Sequence, residues 1–435
     1  MYTPFIKEID ILQKKKRTTR MKERFYGTTL TNRYWLILMT FILSLASTSQ
    51  AMGQIGGEAT TEELVNLGFE NVRWTENDNE RIYTIENNVY KTNGVGIAKA
   101  IEIIQKAGLP TDKKCKVIVT NLDVPELSLT YQPTGKDSMV VTGKEGWQTS
   151  YDIEGWNEVK KEKLKNSSRF KVDILIYPQL SFKNLIITQI YQVLFTINPA
   201  VEVSLWPGMK FTGQVILPVY NDGYGYLNDK VKPGFITLSQ NFRLPYNIKG
   251  KATIGYFNAD RYGADLMLFY PLKWDERFSI EGRMGLTAIG YWEGLHLHYD
   301  TDFSATWSLG GNFYWPQYNT QFSLKGEQYL MGEKGIKFEM IRHFRYASVG
   351  FYAQKGQHAN SNGGFRFQIL LPPYKYKRFK NKYIPRVNTS SQMGIVYNAG
   401  NEQYYYRQYR SAADENIMNN NKFNPYFIKS ELSNY

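Results

Sequence analysis

The sequence predicts a mainly β protein: a transmembrane antiparallel β-barrel of roughly twelve strands, preceded by a small α+β region. Three observations lead to this prediction. Long segments alternate between apolar and polar residues, several of these segments are about 9 to 14 residues long, and an export-type apolar segment lies near the start of the chain. Strands of soluble proteins are usually shorter than these segments.

The alternation is clearest in the stretch Tyr318–Leu371. In its first strand, Phe322 and Leu324 lie on one face, whereas Lys325 and Glu327 lie on the other. Turns rich in glycine separate this strand from three further alternating segments. Such a pattern fits either a large soluble antiparallel sheet or the wall of a membrane barrel with a wet interior.

Composition is compatible with a barrel. Aromatic residues make up 15% of the 435 residues, which suits the aromatic girdles at the two membrane interfaces. Beyond the N-terminal segment, no stretch is apolar enough for a transmembrane helix. The single cysteine, Cys115, excludes an internal disulfide and any site with several cysteine ligands.

The formal net charge is +13, but residues 1–54 contain nine Lys/Arg and three Asp/Glu, so that residues 55–435 have a charge of 44 minus 37, or +7. This modest excess is compatible with an acidic polymer as a partner. Because the sequence shows neither an RNA-binding motif nor a basic helix, nucleic acid is not expected as a partner.

The N-terminal segment has the parts of a signal peptide. Basic residues precede the apolar core Tyr34–Ala46, and Ser49 and Ala51 have the spacing that signal peptidase requires. Met21 is a candidate start. The alternative is an uncleaved membrane anchor, for which the apolar core is short. Export with cleavage is therefore expected, and residues 1–54 are interpreted as a basic extension and signal peptide.

Residues 55–168 are interpreted as an α+β region that ends in a linker. A helix is expected from Thr60 or Thr61, acting as the cap, to Leu67. A second helix is expected over Ile97–Ala107, because its apolar residues recur at helical spacing and Gly108 stops it. The expected strands are Phe69–Thr75, Arg81–Glu86, Lys116–Thr120, Leu127–Tyr131 and Met139–Thr142. Residues 143–168 are polar and are predicted to be the linker.

Residues 169–400 are predicted to form the barrel, with turns rich in Pro, Gly, Asn and Asp between the strands. The expected strands are Phe170–Tyr177, Ile186–Thr196, Val201–Trp206, Phe211–Val219, Gly234–Phe242, Lys251–Tyr256, Tyr262–Tyr270, Arg277–Ile289, Thr301–Tyr314, Thr320–Leu330, Ile336–Phe344, Ala347–Ala353 and Gly364–Leu371, with Met393–Tyr397 as a further candidate. Pro372–Arg386 is expected to be a loop. Residues 401–435 form a polar, Tyr/Asn-rich tail for which the sequence predicts no structure.

Two stretches of the sequence resemble the YjbH-like exopolysaccharide (capsule) outer-membrane protein family. Leu67–Ile104 is similar to the family's N-terminal periplasmic region, and Gly326–Leu371 is similar to its late hairpins. The residues of the second motif are Gly326, Tyr329, Leu330, Gly332, Glu333, Gly335, Arg342, Phe344, Val349, Gly350, Phe351, Gly364 and Pro372. Among them, Gly326, Tyr329, Gly332, Glu333 and Gly335 frame the turn. Gly255–Pro271 is also similar to a mid-barrel hairpin of the family.

The resemblance implies a barrel that takes part in polysaccharide secretion without catalysis or a cofactor. The expected location is the bacterial outer membrane, with the N-terminal region in the periplasm. Outer-membrane lipid, the polysaccharide and other components of a secretion system are the implied partners. A porin-like channel for small solutes and an outer-membrane hydrolase acting on polysaccharide or lipid are the alternatives.

Charged residues that alternate with apolar ones are the candidates for the lining of a lumen. They are Asp265, Glu281, Arg283, Lys325, Glu327, Lys337, Glu339 and Arg366. If they share one face, they can pair across neighbouring strands. The functional interpretation is a polar passage for sugars. The structural interpretation is an ionic ladder that plugs a closed barrel, and for any single residue this structural interpretation is favoured.

Other candidate sites are weaker. The aromatic residues near strand ends fit an interfacial girdle better than sugar contacts; they are Tyr224, Tyr226, Trp274, Tyr291, Trp292, Tyr314 and Trp315. His296 and His298 could ligate a metal, but no third ligand is evident and no metal site is predicted. Glu281 and Glu327 could form a glycosidase-like pair, which is expected to be a chance arrangement.

Overall fold

Two β-sheets account for most of the structure. The computed structural model describes residues 56–133, 146–184, 191–376, 385–389, 392–398 and 405–433, and Gly56–Tyr435 cluster as one unit. The export-type segment and the candidate strand Met139–Thr142 lie outside the described residues. No helix within the described ranges combines the length and the apolar character needed to span a membrane.

The smaller sheet has five strands and is covered by helices. The strands are β1 (Glu70–Glu76), β2 (Glu80–Glu86), β3 (Lys114–Asn121), β4 (Val124–Tyr131) and β5 (Trp147–Ser150). The helices are α1 (Gly57–Leu67), α2 (Asn93–Lys106), α3 (Trp156–Val159) and α4 (Pro425–Ser433). Strands pair in the order β1-β2-β3-β4-β5, and β2 and β3 are parallel because α2 crosses over between them.

The core of the small sheet draws on distant parts of the sequence. Phe69, Ile101 and Trp147 are fully buried there, and Ile428 of α4 is buried in the same cluster. Fully burying side chains of this size stabilises the fold by about 1.5–3 kcal/mol each. Helix α4, which lies more than 300 residues from α2 in the sequence, is thus a structural part of this sheet's core.

Both predicted helices of the small sheet are present, but their starts differ from the prediction. Helix α1 begins at Gly57, and the hydroxyl of Thr61 donates to the carbonyl of Glu58 inside the helix, so no threonine caps it. Helix α2 begins four residues before Ile97, over a segment that includes two glycines. Residues 143–168 are not simply a linker: they contain β5 and α3, and the side chain of Trp147 is fully buried.

The larger sheet contains strands of up to 16 residues. They are β6 (Val172–Asn184), β7 (Tyr191–Ser204), β8 (Met209–Asp222), β9 (Lys232–Arg243), β10 (Lys249–Phe257), β11 (Arg261–Pro271), β12 (Phe278–Glu293), β13 (His296–Tyr299), β14 (Ser304–Trp315), β15 (Thr320–Gln328), β16 (Lys334–His343), β17 (Ala347–Gly356), β18 (Asn362–Leu370), β19 (Arg386–Thr389) and β20 (Gln392–Asn398). Short 3-10 turns occur at Tyr226–Asn228, Pro245–Asn247, Pro316–Tyr318 and Asn419–Asn421.

Fourteen of these strands form one ladder, two more than the roughly twelve predicted. The order is β19-β6-β7-β8-β9-β10-β11-β12-β14-β15-β16-β17-β18-β20, and β13 pairs with β12 beside this path. Neighbouring strands are antiparallel except for β19 and β6. Within the described residues, no pairing joins β20 to β6, so the sheet is not closed, although Cα atoms of these two strands come within 8 Å of each other.

The predicted strands of the large sheet are present with shifted bounds, although residues 186–190 of one of them lie outside the described residues. The predicted strands Ile186–Thr196 and Val201–Trp206 are not separated by a turn, because the chain continues through Asn198–Val201 in the single strand β7. Pro199 cannot donate a backbone hydrogen bond, and the bridges between β7 and β8 skip from Ile197 to Ala200. The pairing of β6 with β7 continues through this point, so the chain does not turn.

Two glycines allow the hairpin of β10 and β11 to bend. Gly255 and Gly263 pair with each other, and both have positive φ angles, +138° and +148°. A Cβ atom at Gly255 would lie 2.1 Å from the carbonyl oxygen of Ile236, and one at Gly263 would lie 2.2 Å from that of Leu286. Glycine is therefore required at both positions by conformation and by space.

Candidate functional site: the polar face of the large sheet and the tail segment

The large sheet buries its polar face and exposes its apolar face. Ser323 is 3% exposed, whereas the next residue, Leu324, is 58% exposed; Lys337 is 6% exposed, whereas Ile336 is 60% exposed. Other exposed side chains on the apolar face are Ile254, Met284, Leu286, Leu309, Phe338 and Phe351. This arrangement is the reverse of that in a water-soluble sheet, in which apolar residues face the core.

A segment near the C-terminus, residues 405–433, covers the polar face and is here called the tail segment. Its first part contacts β11, β12, β15 and β17 through hydrogen bonds, and its last part forms helix α4 in the core of the small sheet. The tail segment therefore links the polar face to the small sheet.

Arg283 on β12 is at the centre of the contacts between sheet and tail segment. Its Nε lies 2.8 Å from Asp265 on β11, and its Nη1 lies 2.7 Å from Glu415 of the tail segment. Asp265 also accepts hydrogen bonds from the hydroxyls of Tyr409 at 2.7 Å and Ser411 at 3.0 Å. The guanidinium of Arg283 stacks over the ring of Tyr409, 5.1 Å from its centre. Two carboxylates on different elements thus share one cation.

Further ion pairs lie on the same face. Lys325 on β15 pairs with Glu281 on β12, which also accepts a hydrogen bond from Asn312 at 3.1 Å. Glu339 on β16 lies 3.3 Å from Arg366 on β18. These strands are not adjacent, so long side chains reach across the intervening strand in both cases.

Aromatic and amide groups complete the network. The ring of Tyr352 on β17 lies between two cations, with Lys337 Nζ 5.7 Å and Arg366 Cζ 5.3 Å from its centre. Glu327 accepts a hydrogen bond from the side-chain amide of Gln408 in the tail segment at 2.8 Å. The predicted lining residues on this face therefore have polar or aromatic partners among those described.

The structure places all eight predicted lining residues on the polar face. Four of them contact one another in the pairs Asp265–Arg283 and Glu281–Lys325, and Glu339 and Arg366 form a third pair. Because these groups are largely buried, removing one partner leaves the other charge unpaired, which costs about 3–5 kcal/mol in buried pairs. Losing one member of such an ion pair should therefore destabilise the fold.

The glycine-framed turn that resembles the family motif fixes a second contact with the tail segment. Glu333 accepts backbone hydrogen bonds from His358 at 2.8 Å and Ala359 at 3.1 Å. Tyr329 is buried beside Tyr406 of the tail segment, with ring centres 5.2 Å apart. The turn therefore holds Glu333 against the backbone at residues 358–359 and Tyr329 against the tail segment.

The structure explains two of the three glycines that frame this turn. Gly332 has a φ of +75°, which the turn requires, and a Cβ at Gly335 would lie 2.5 Å from the carbonyl oxygen of Lys355. Gly326 on β15 pairs with Leu309 and Ile336, and a Cβ there would meet only ordinary contacts with Trp307. Space therefore explains the glycine at position 335, and backbone conformation explains the one at 332.

The aromatic candidates do not behave as one group. Tyr226, Trp274, Tyr291 and Trp315 are exposed, as a girdle or a sugar-contact surface would require. Tyr314, in contrast, is 2% exposed, and its ring stacks 6.1 Å from that of Tyr426 in the tail segment. Tyr314 is therefore a packing residue against the tail segment.

The structure gives each of the weaker chemical candidates its own set of contacts. Among the described residues, no group of three or more His, Cys, Asp or Glu side chains could bind a metal ion. His296 and His298 contact each other with ring centres 4.6 Å apart, and the nearest carboxylate, of Glu293, lies 3.6 Å from His298. Glu281 and Glu327 are each engaged separately, by Lys325 and by Gln408.

A polar cavity of about 400 Å³ lies between the small sheet, the polar face and the tail segment. Its walls include Glu126 on β4, Lys251 on β10 and Lys422 of the tail segment. Such a volume lies within the range of about 300–1,000 Å³ of small-ligand sites. Local sequence patterns could not indicate this cavity, because its walls are separated by hundreds of residues in the chain.

Two buried groups of the small sheet have shifted pKa values. Burial raises the pKa of the Cys115 thiol to about 12, so this thiol is not a nucleophile at neutral pH. Burial also raises the pKa of Glu431 on α4 to about 7, even though its carboxylate accepts a hydrogen bond from the backbone N–H of Gly94 at 2.9 Å. That N–H belongs to the first turn of α2, so Glu431 joins the two helices.

Sequence reasoning missed the tail residues of the site, namely Gln408, Tyr409, Ser411, Asp414 and Glu415. One sequence feature could have indicated them: the tail segment mixes charged and tyrosine residues without periodicity, and the predicted sheet face carries many charges that need partners.

Comparisons of the chain with protein-family models, with curated proteins and with solved structures found no match.

Proposed function

We propose that this chain is an outer-membrane β-barrel protein that takes part in exopolysaccharide or capsule secretion and is not an enzyme. The observation that supports this most directly is the reversed burial of the large sheet, with apolar side chains such as Leu324 and Ile336 outside and ion pairs inside. Moving a large aliphatic side chain from water into an apolar medium is favourable by about 1.5–3 kcal/mol, so many exposed ones favour a lipid environment.

The course of the chain at the sheet ends supports a barrel. Strands β19 and β20 follow each other closely in the sequence, yet they pair with β6 and β18 at opposite ends of the ladder. An extended residue spans at most about 3.6 Å, so the few residues between them keep the two ends close. A sheet whose ends approach each other in this way curls around its polar face, which becomes the lumen.

The mechanism that we propose is passive. The small sheet, on the periplasmic side, docks to other components of the secretion system, and the barrel anchors it or assists the polymer in crossing. The tail segment occupies the lumen, where the pair Arg283–Glu415 fixes it to the wall. Passage of a polymer then requires the tail segment to move, and the resemblance to the YjbH-like family motivates polysaccharide as the polymer.

The two alternatives make different demands. A porin-like channel needs an open lumen, whereas the tail segment contacts four strands of the wall. A hydrolase needs a pair of carboxylates acting on one bond, whereas Glu281 and Glu327 are neutralised or bound by separate partners. The two observations count against the porin-like channel and the hydrolase respectively.

Location is tested by fractionating cells that produce the full-length protein. We expect it in the outer-membrane fraction, with migration in gel electrophoresis that changes on heating, because a barrel unfolds only when it is boiled. Recovery as a soluble periplasmic protein would refute the barrel.

The role in secretion is tested with a deletion strain. We expect secreted polysaccharide to fall in the deletion strain and to return when it is complemented with the wild-type chain or with the Glu281→Gln and Glu327→Gln variants. Normal secretion in the deletion strain would refute the role. If the wild-type chain restored secretion but neither Gln variant did, the result would favour the hydrolase. Conductance in planar bilayers separates an open channel from a filled lumen, for which we expect little current.

A further inference from the structure

Among the described residues, two lysines in the wall of the polar cavity make no direct ion pair. Lys251 on β10 and Lys422 of the tail segment both line the cavity. Among the described residues, no carboxylate oxygen lies within 4.0 Å of either ammonium group. Two other lysines in the cavity wall differ: Lys210 lies 2.9 Å from Glu202, and Lys249 lies 2.9 Å from Glu126. Among the described lysines that line the cavity, Lys251 and Lys422 are thus without a direct ion pair.

These two lysines line the same cavity although they are far apart in the sequence. Both act on the same carboxylate, that of Asp414: burial would raise the pKa of Asp414, but the charges of Lys210, Lys251 and Lys422 outweigh burial and lower it. Lys422 also lies over the ring of Phe423, 5.2 Å from its centre, so an apolar surface adjoins the charge.

The rest of the cavity wall suits a ligand with many hydroxyl groups. The side chains of Asn241 and Asn420 line the cavity and make no hydrogen bond to other described residues, so their donors and acceptors are free for a ligand. The rings of Phe242 and Phe269 supply flat apolar surfaces of the kind on which a sugar ring packs. The carboxylate of Glu202 can accept hydrogen bonds from hydroxyls.

From these features we infer that the cavity binds an acidic sugar unit, whose carboxylate lies between Lys251 and Lys422 while the amide and aromatic groups contact its hydroxyls and ring. This inference rests on the proposed function, which it extends from polysaccharide in general to a polymer with carboxylate groups. The volume of about 400 Å³ is enough for a short piece of such a chain.

Binding is measured by isothermal titration calorimetry on the full-length protein in detergent, with a short oligogalacturonide as the probe. A neutral galactose oligomer of the same length is the matched control. We expect the acidic oligomer to bind at least about tenfold more tightly, because each hydrogen bond to a charged group is worth that much or more. Binding should weaken as salt is added.

Variants then locate the site. We expect Lys251→Gln and Lys422→Gln each to weaken binding of the oligogalacturonide by about tenfold or more. Lys273→Gln is the control, because Lys273 lies over the ring of Tyr246. This variant should bind the oligogalacturonide as tightly as the wild type does. The two cavity lysines lie on different elements, so a folding defect in one variant still leaves the other as a test; melting temperatures identify such a defect.

The inference is overturned if the acidic and neutral oligomers bind equally, if neither binds, or if the two cavity variants bind like the wild type. These results are distinguishable from failure of the proposed function. Reduced polysaccharide in the deletion strain without oligomer binding refutes only the acidic-sugar site. Normal polysaccharide in that strain refutes the secretion role, whatever the binding result.

Discussion

Arg283 Nη1 on β12 lies 2.7 Å from Glu415 Oε1 in the tail segment, and Arg283 Nε lies 2.8 Å from Asp265 on β11. One guanidinium therefore neutralises a carboxylate of the sheet and a carboxylate of the segment that covers it. The two acidic groups belong to elements separated by more than 100 residues in the sequence, so this cation joins the tail segment to the sheet.

Arg283→Gln should release the tail segment. The substitution leaves Asp265 and Glu415 as buried carboxylates without a cation, which costs about 3–5 kcal/mol in the free energy of unfolding. Urea unfolding in detergent measures this loss, and limited proteolysis should show new cleavage within residues 405–424. Asp275→Asn is the matched control, because it breaks the exposed pair of Arg277 and Asp275 and should change stability little. Equal effects of the two variants would contradict the role of Arg283.

Gly94→Ala should weaken the attachment of helix α4. A Cβ at Gly94 would lie 2.3 Å from Cβ of Glu431, so α4 has to shift, and overpacking of this kind costs about 1–3 kcal/mol. Intrinsic helix propensity alone would give the opposite sign, because alanine favours a helix over glycine by about 1 kcal/mol. Thermal unfolding decides between the two, with Gly56→Ala as the control, since a Cβ there meets nothing within 4 Å. A stabilised Gly94→Ala variant would mean that α4 is not docked as described.

Stability of the wild type should fall as pH rises through about 7 because of Glu431. Burial raises the pKa of this carboxyl to about 7 in the folded chain, from an ordinary value of 4.5. The folded state therefore binds the proton more tightly, and this stabilisation is complete below about pH 4.5 and lost as pH rises through about 7. Melting temperatures of the wild type and Glu431→Gln, compared at about pH 5 and about pH 8, measure the effect.

The Glu431→Gln variant keeps an acceptor for the N–H of Gly94 but cannot ionise. We expect it to match the wild type at the acidic pH and to be the more stable of the two at the alkaline pH. Other titrating groups affect both proteins equally, so the difference between them isolates Glu431. A difference that does not change with pH would rule out the raised pKa.

Leu324→Arg should prevent assembly in the membrane if the apolar face meets lipid. Leu324 is 58% exposed on that face, and an arginine facing lipid costs about 2–4 kcal/mol at the membrane midplane. The amount of heat-modifiable protein in the outer-membrane fraction measures assembly. Leu295→Arg is the matched control, because Leu295 is 88% exposed in the turn between β12 and β13 and should tolerate the charge. In a water-soluble sheet, both substitutions would be tolerated.

The sequence predicted local features well. Alternation with period 2 predicted the strands of the large sheet and the face on which Lys325 and Glu327 lie, since side chains of a strand necessarily alternate. Helical spacing predicted α2, but its four additional residues at the N-terminus lie outside that pattern, and one of them, Gly94, donates its N–H to Glu431. That contact joins residues 337 apart, so no local pattern could indicate it.

Segments without a period were predicted poorly. The polar composition of residues 143–168 indicated a linker, although Trp147 is buried in the core of the small sheet. The tail segment likewise has no alternation, and its structure is defined by contacts with Asp265, Arg283 and Glu327. A prediction from local sequence has no access to such contacts.

The sequence by itself determined that the chain is mainly β, where most strands lie and which side chains share a face, because these properties depend on neighbouring residues. Only the tertiary structure decided that the polar face is buried, that the tail segment covers it and that Lys251 and Lys422 meet in one cavity. The physical reason is that charges far apart in the chain are brought within a few ångströms of each other by the curvature of the sheet, and electrostatic interactions depend on that distance.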